Sequence, residues 1–177
     1  MVFMGIGIIV CGLNGCGKST LGKVLAEKLG FYFIDNENLF FPKTASDYNR
    51  VLSRSHKEAE KSLMNEIRTH ENFVFAAVKG DFGKEVLHFY NYAVLIDVPK
   101  EIRLQRVKQR SLQKFGDRIL PGGDLYEQEK EYFDTVSSRT ERYVEDWAES
   151  LKCHVIRVDG TKSIGENITA ITEQLWG

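Results

Sequence analysis

The stretch GLNGCGKS, Gly12 to Ser19, sets three glycines and a lysine between an apolar run and a helical pattern. Few backbones accommodate that. Glycine has no Cβ, so the chain can turn through conformations closed to other residues and can approach a ligand closely. The run before it, Ile6 to Cys11, is continuously apolar, as expected of a strand buried on both faces. After it, Leu21, Val24, Leu25 and Leu29 recur at helical spacing. Strand, glycine-rich turn and helix in this order make the phosphate cradle G-x-x-x-x-G-K-[ST]. Successive amides converge as an anion nest, and the helix that follows aims its positive end at the same point. We expect the backbone from Gly12 through Asn14, Gly15, Cys16 and Gly17 to Thr20 to wrap a polyphosphate. Lys18 would reach its β and γ phosphates and the Ser19 hydroxyl would bind Mg²⁺, so ATP with Mg²⁺ is the implied ligand.

Further apolar runs alternate with helical patterns. Phe31–Ile34, Phe73–Val78, Tyr92–Val98 and His154–Val158 read as four more strands, continuous rather than alternating. Tyr48, Leu52, Ala59, Leu63 and Ile67 mark one face of a long helix reaching His70. Leu104 and Val107 follow Pro99, which suits a helix's first turn. Tyr132, Val136, Tyr143 and Trp147 lie along another helix, and Ser163 with Glu166 forms a capping box before Ile164, Ile168, Ile171 and Leu175. Strand–helix alternation throughout predicts a three-layer α/β/α fold with a five-stranded parallel sheet, and 177 residues fit one domain, 1–177. Ser111–Gln128 breaks the rhythm with three glycines and a proline between two helices. It is too long for an ordinary connection and reads as a disordered insert or a functional lid.

Bulk properties narrow the partners. The net charge of -1 argues against a general nucleic-acid or membrane-surface binder. No apolar run approaches the roughly 18 residues of a membrane span, and no basic segment or cleavage site flanks the apolar start. Three cysteines, Cys11, Cys16 and Cys153, read as reduced thiols, and the expected location is the cytoplasm. The expected partner is a small molecule, with neither nucleic acid nor membrane, and a monomer and a homodimer are both open.

Beyond the cradle, LIDVPKEIRLQRVKQR before the lid, SRTERY after it and RVDGTKSIGENI at the last helix resemble the small P-loop kinases. That group contains the adenylate, shikimate and gluconate kinases and their nucleoside-kinase-like relatives. The resemblance implies sheet order 2-3-1-4-5, lid arginines that fold onto the transferred phosphate, and phosphoryl transfer from ATP to a small acceptor, a nucleotide, nucleoside or hydroxy metabolite. It implies that Arg106 or Arg110, four residues apart on one helix face, borders the nucleotide, while Arg118 and Arg139 approach the phosphates. Arg142 shares a helix face with Arg139. Asp35 and Glu37 resemble the paired acids after the second strand of shikimate-kinase-like enzymes. There the first acid helps hold Mg²⁺ or draws the acceptor proton, tasks a carboxylate suits. Asp97 ends a strand resembling a Walker B strand, and a structural role and one near Mg²⁺ are both open. Lys79 and Asp81 stand where that group's third-strand loop faces the acceptor, in place of the shikimate kinases' triple glycine. Two other functions also fit a Walker A motif: a regulatory ATPase with no small-molecule acceptor, and a nucleic-acid-processing ATPase or end kinase. The absence of a basic stripe counts against the last.

Overall fold

The computed structural model describes residues 5–40 and 55–177. Five strands form one parallel sheet in the order β2-β3-β1-β4-β5. They are β1 Gly7–Cys11, β2 Tyr32–Asp35, β3 Phe73–Ala76, β4 Tyr92–Asp97 and β5 His154–Asp159. All four pairings are parallel; β1 is central, with Ile8 opposite Val74 on β3 and Tyr92 on β4. The three inner strands are the continuous apolar runs, and β1 and β3 are buried at every position. The outermost strands differ. In β5 only Ile156 and Val158 are buried while Arg157 is exposed, so HVIRV alternates as an edge strand does.

Side chains alternate across the sheet and build two cores. Ile9, Cys11, Phe73 and Phe75 face α3 (His56–Thr69) and α6 (Arg142–Glu149), where Leu63, Ile67, Val144 and Ala148 meet them. Ile8, Val10, Val74 and Ile156 face α1 (Lys18–Leu29) and α7 (Ile164–Trp176), which contribute Leu21, Leu25, Ile168 and Ile171. Each Val, Leu, Ile or Phe among them contributes about 1.5–3 kcal/mol when fully buried. A glycine lets α1 lie close to the sheet, since a Cβ on Gly22 would come within 3.1 Å of the Phe33 ring. The predicted capping box starts α7, with the Glu166 amide donating to Ser163 Oγ and the Ser163 amide to the Glu166 carboxylate.

Three helical expectations are corrected. Ser55 caps α3 through the Glu58 amide, so the helix starts later than its apolar pattern suggested; Tyr48 and Leu52 lie outside the described residues. The helix expected from Tyr132 to Trp147 is two, α5 (Tyr126–Ser138) and α6, because Arg139 is extended at φ −73°, ψ 131°. The segment 111–128 is largely helical. Its first residues complete α4 (Lys100–Phe115), a 3-10 turn covers Gly116–Ile119, and α5 begins at Tyr126. Ser111 Oγ donates to buried Glu129 at 3.0 Å and ties α4 to α5. A short helix, α2 (Asn36–Phe40), follows β2. No helix among the described residues is long and apolar enough to cross a membrane.

Candidate active site

The turn after β1 forms the cradle. Gly15 and Gly17 have φ 85° and 90°, a region other residues seldom adopt. A Cβ on Gly15 would also collide with the Arg103 carbonyl oxygen. The Cys16 amide donates to the Leu13 carbonyl at 3.1 Å and closes the turn. The Cys16 side chain is buried beneath it, so it contributes packing and a main-chain amide rather than an exposed thiol. Gly17 precedes α1 with no side-chain cap, and a helix's first amides have no acceptor of their own. They are therefore available to an anion.

Two cavities open at this turn. The larger, about 560 Å³, is lined by Gly15 through Leu21 and, opposite them, by Arg106, Gly160, Lys162, Ile164 and Asn167. Arg106 donates to the Gly15 and Gly160 carbonyls, each at 3.3 Å, so it bridges the cradle to the loop after β5. That loop, DGTKS, belonged to a recognised sequence patch, yet Gly160, Lys162 and Asn167 were not singled out as site residues. Their signal was positional: they follow the carboxyl end of a strand, where ligands of open α/β sheets bind. Asn167 fixes the loop by donating to the Asp159 carbonyl at 2.8 Å.

The smaller cavity, about 270 Å³, lies on the other side of the cradle. Asn14, Asp35, Glu37, Phe40, Val78 and Tyr132 line it. Lys18, Ser19 and Arg110 line both cavities, so one ammonium, one hydroxyl and one guanidinium stand between two chambers. Asp35 Oδ1 accepts the Glu37 amide at 3.0 Å, which orients its carboxylate at the head of α2. Glu37 also lies 3.8 Å from the Lys114 ammonium.

Arg139 is brought to the cradle, donating from Nη1 to Asn14 Oδ1 at 2.9 Å. Asn14 Nδ2 in turn donates to the Tyr132 hydroxyl at 3.3 Å, so α5 is tied to the phosphate loop. Arg118 is not at the cradle here: both its Nε and Nη2 donate to Asp124, at 3.0 and 2.8 Å, and hold that exposed carboxyl below its usual range. Lys79 sits 3.8 Å over the Tyr143 ring, and neither it nor exposed Asp81 lines the smaller cavity. Arg142 pairs with Asp146 on its own helix at 3.0 Å.

Asp97 faces Arg157 at 3.4 Å, outside both cavities. Partial burial raises its carboxyl above the ordinary value, and Arg157, shared with Glu145 and Glu149, only partly offsets this. It carries the features of a structural acid on the β4–β5–α6 side.

Sequence reasoning missed Arg103. It lies on α4 one turn before Arg106 and is 1 % exposed, its Nε donating to the Val98 carbonyl at 3.1 Å. No local signal marks it, because its burial arises from contact with the turn after β4 and with Glu141, 38 residues away.

A family profile described as an AAA domain matches residues 8–134. YqaC, an uncharacterized protein of Bacillus subtilis strain 168, is 25% identical over 95% of this chain and 96% of its own. A shikimate kinase of Clostridium botulinum strain Eklund 17B is 29% identical, over 87% of this chain and 88% of its own. The crystal structure of shikimate kinase from Bacteroides thetaiotaomicron shares the fold, with a TM-score of 0.63, at 16% identity over 96% of this chain and 98% of its own.

Proposed function

The chain belongs to the AAA domain family and is a small P-loop kinase, and from that premise we propose that it moves the γ-phosphate of ATP to a hydroxyl of a small metabolite. The carrying observation is that the larger cavity and the smaller one meet at Lys18, Ser19 and Arg110. A nucleotide in the first would bring its terminal phosphate to the wall of the second. The smaller cavity suits a compact polyhydroxylated acceptor, with Asp35, Glu37 and Asn14 offering hydrogen bonds and Phe40 and Tyr132 offering apolar faces.

The residues fit ATP and Mg²⁺. Gly15 and Gly17 turn at positive φ, and the first amides of α1 have no acceptor of their own, which suits phosphate oxygens. Ser19 and Asp35 line one cavity and supply the hard oxygen donors that Mg²⁺ takes alongside its own waters. They would hold the ion, which neutralises phosphate charge when bound. Lys18 and Arg110 supply positive charge where the negative charge of transfer builds up, and Arg139 adds a third cation from the α5–α6 link. Asp35 accepts the proton of the attacking hydroxyl or fixes its direction. Arg118 would reach the phosphates only by leaving Asp124, which puts it among the groups that act on closure. Lys79 and Asp81 follow Val78, which lines the smaller cavity, and we propose that they act on the acceptor side. The free thiols of all three cysteines support a reducing compartment, and we place the reaction in the cytoplasm.

The deciding experiment is a screen of small hydroxylated metabolites for stimulated release of ADP from MgATP. One acceptor class should raise turnover far above a slow basal hydrolysis. Failure to bind any nucleotide at millimolar concentration would overturn the proposal.

A further inference from the structure

Arg103 heads the fully buried side chains by volume among the described residues. Its Nε holds the Val98 carbonyl, its Nη2 lies 3.4 Å from Glu141 Oε1, and Nη1 has no hydrogen-bond partner among the described residues. Its main-chain carbonyl lies directly beneath Gly15 of the cradle. Glu141 is 58% exposed and stands two residues after Arg139.

These contacts close a circuit. From Gly15 it runs to Arg103, across to Glu141, back along the chain to Arg139, and from Arg139 Nη1 to Asn14, the residue before Gly15. A buried guanidinium with one exposed carboxylate partner is poor value for stability, since well-packed apolar residues of similar volume often replace such pairs without loss. Its geometry, by contrast, is specific: a planar fork joins the turn after β4 to the link between α5 and α6. Arg106, one turn further along α4, is engaged elsewhere, with the Gly15 and Gly160 carbonyls.

Resting on the kinase function proposed above, we infer that Arg103 is a positioning residue that acts through Glu141. It fixes the 139–141 link against the floor of the phosphate loop and so sets where Arg139 stands relative to the terminal phosphate. Affinity for the diphosphate part should not depend on its side chain, because that side chain lines neither cavity. A charge-stabilising group displaced by about 1 Å can lose as much as 10²-fold in effect.

The test separates the terminal phosphate from the rest of the nucleotide. MgADP is the probe for the cradle, and MgADP with beryllium fluoride is the probe for the terminal phosphate site. Arg103→Met, Glu141→Ala and the double variant are compared with the unaltered protein by calorimetry, with thermal melts to establish folding. Arg103→Met and Glu141→Ala should each bind MgADP within twofold of the unaltered protein. Each should bind the beryllium fluoride complex about tenfold more weakly, and the double variant no more weakly than either single one. Should Arg103→Met fail to fold, Glu141→Ala, altered at the exposed end of the pair, carries the same comparison. Unchanged affinity for the fluoride complex in a folded variant, or losses that multiply in the double variant, would overturn the inference. Absence of MgADP binding by the unaltered protein would instead remove the kinase function on which the inference rests.

Discussion

Lys18 borders both cavities, so its loss should be felt in transfer far more than in folding. Lys18→Ala should lower acceptor-stimulated turnover by about 10²-fold or more, as removal of a group aimed at developing charge does. Its far-ultraviolet circular dichroism should match that of the unaltered chain. Asp35→Asn keeps the shape and removes the charge, and should cost about 10²–10⁴ in kcat if the carboxylate handles the proton. Cys11 gives a residue-scale check on burial. Its thiol is pushed up to about 12, chiefly by desolvation, and its Sγ donates to the Val94 carbonyl at 3.5 Å. At pH 8 only about one Cys11 in 10⁴ would be thiolate, the form that reacts. Peptide mapping after mild alkylation should therefore find Cys153, half-buried, modified well before Cys11. The cradle's turn was legible because it depends on backbone freedom, and Gly15 and Gly17 do stand at positive φ. Arg103 was not, because a helix's period says which side chains share a face and nothing about an arginine meeting Glu141 across the molecule.

The strands and helices were legible where burial is uniform and poorly legible where it changes along an element. β1 and β3 are buried throughout, and their apolar runs gave them away. The irregular part of 111–128 is shorter than its glycines and proline suggest, because Ser111 through Phe115 are compatible with helix and continue α4. The break between α5 and α6 carries neither glycine nor proline. It is held by long-range contacts, Arg139 with Asn14 and Arg103 with Glu141. At this scale Ser55 offers a clean probe, since it caps α3 and lines neither of the two site cavities. Ser55→Ala should cost about 1 kcal/mol in denaturant unfolding and leave nucleotide affinity unchanged. The β4–β5 junction predicts a pH effect. Asp97 is raised in the folded chain, so the native state keeps this proton to higher pH than the unfolded state does. Its contribution therefore falls as pH rises from the ordinary carboxylate value through the raised one. Unfolding curves across that window should show Asp97→Asn gaining on the unaltered protein with rising pH; a constant difference would refute the assignment.

Across the molecule, the parallel sheet gathers the side chains of the candidate site at one edge, where the carboxyl ends of β1, β2 and β4 and the loop after β5 converge. A ligand held there should stabilise the whole chain. At a hundredfold excess over its Kd, a nucleotide adds about 2.7 kcal/mol, which for a chain of this size raises Tm by about 5–10 °C. Lys18→Ala should lose most of that rise, as differential scanning calorimetry would show. The wall of Lys18, Ser19 and Arg110 has one more consequence, for inhibitor chemistry. Because three side chains among the described residues border both rooms, a single compound could reach from one into the other. If the acceptor is of the class proposed above, an adenosine joined to a polyol by a chain of phosphates would thread past the lysine, its two halves reinforcing each other by proximity rather than by any added contact.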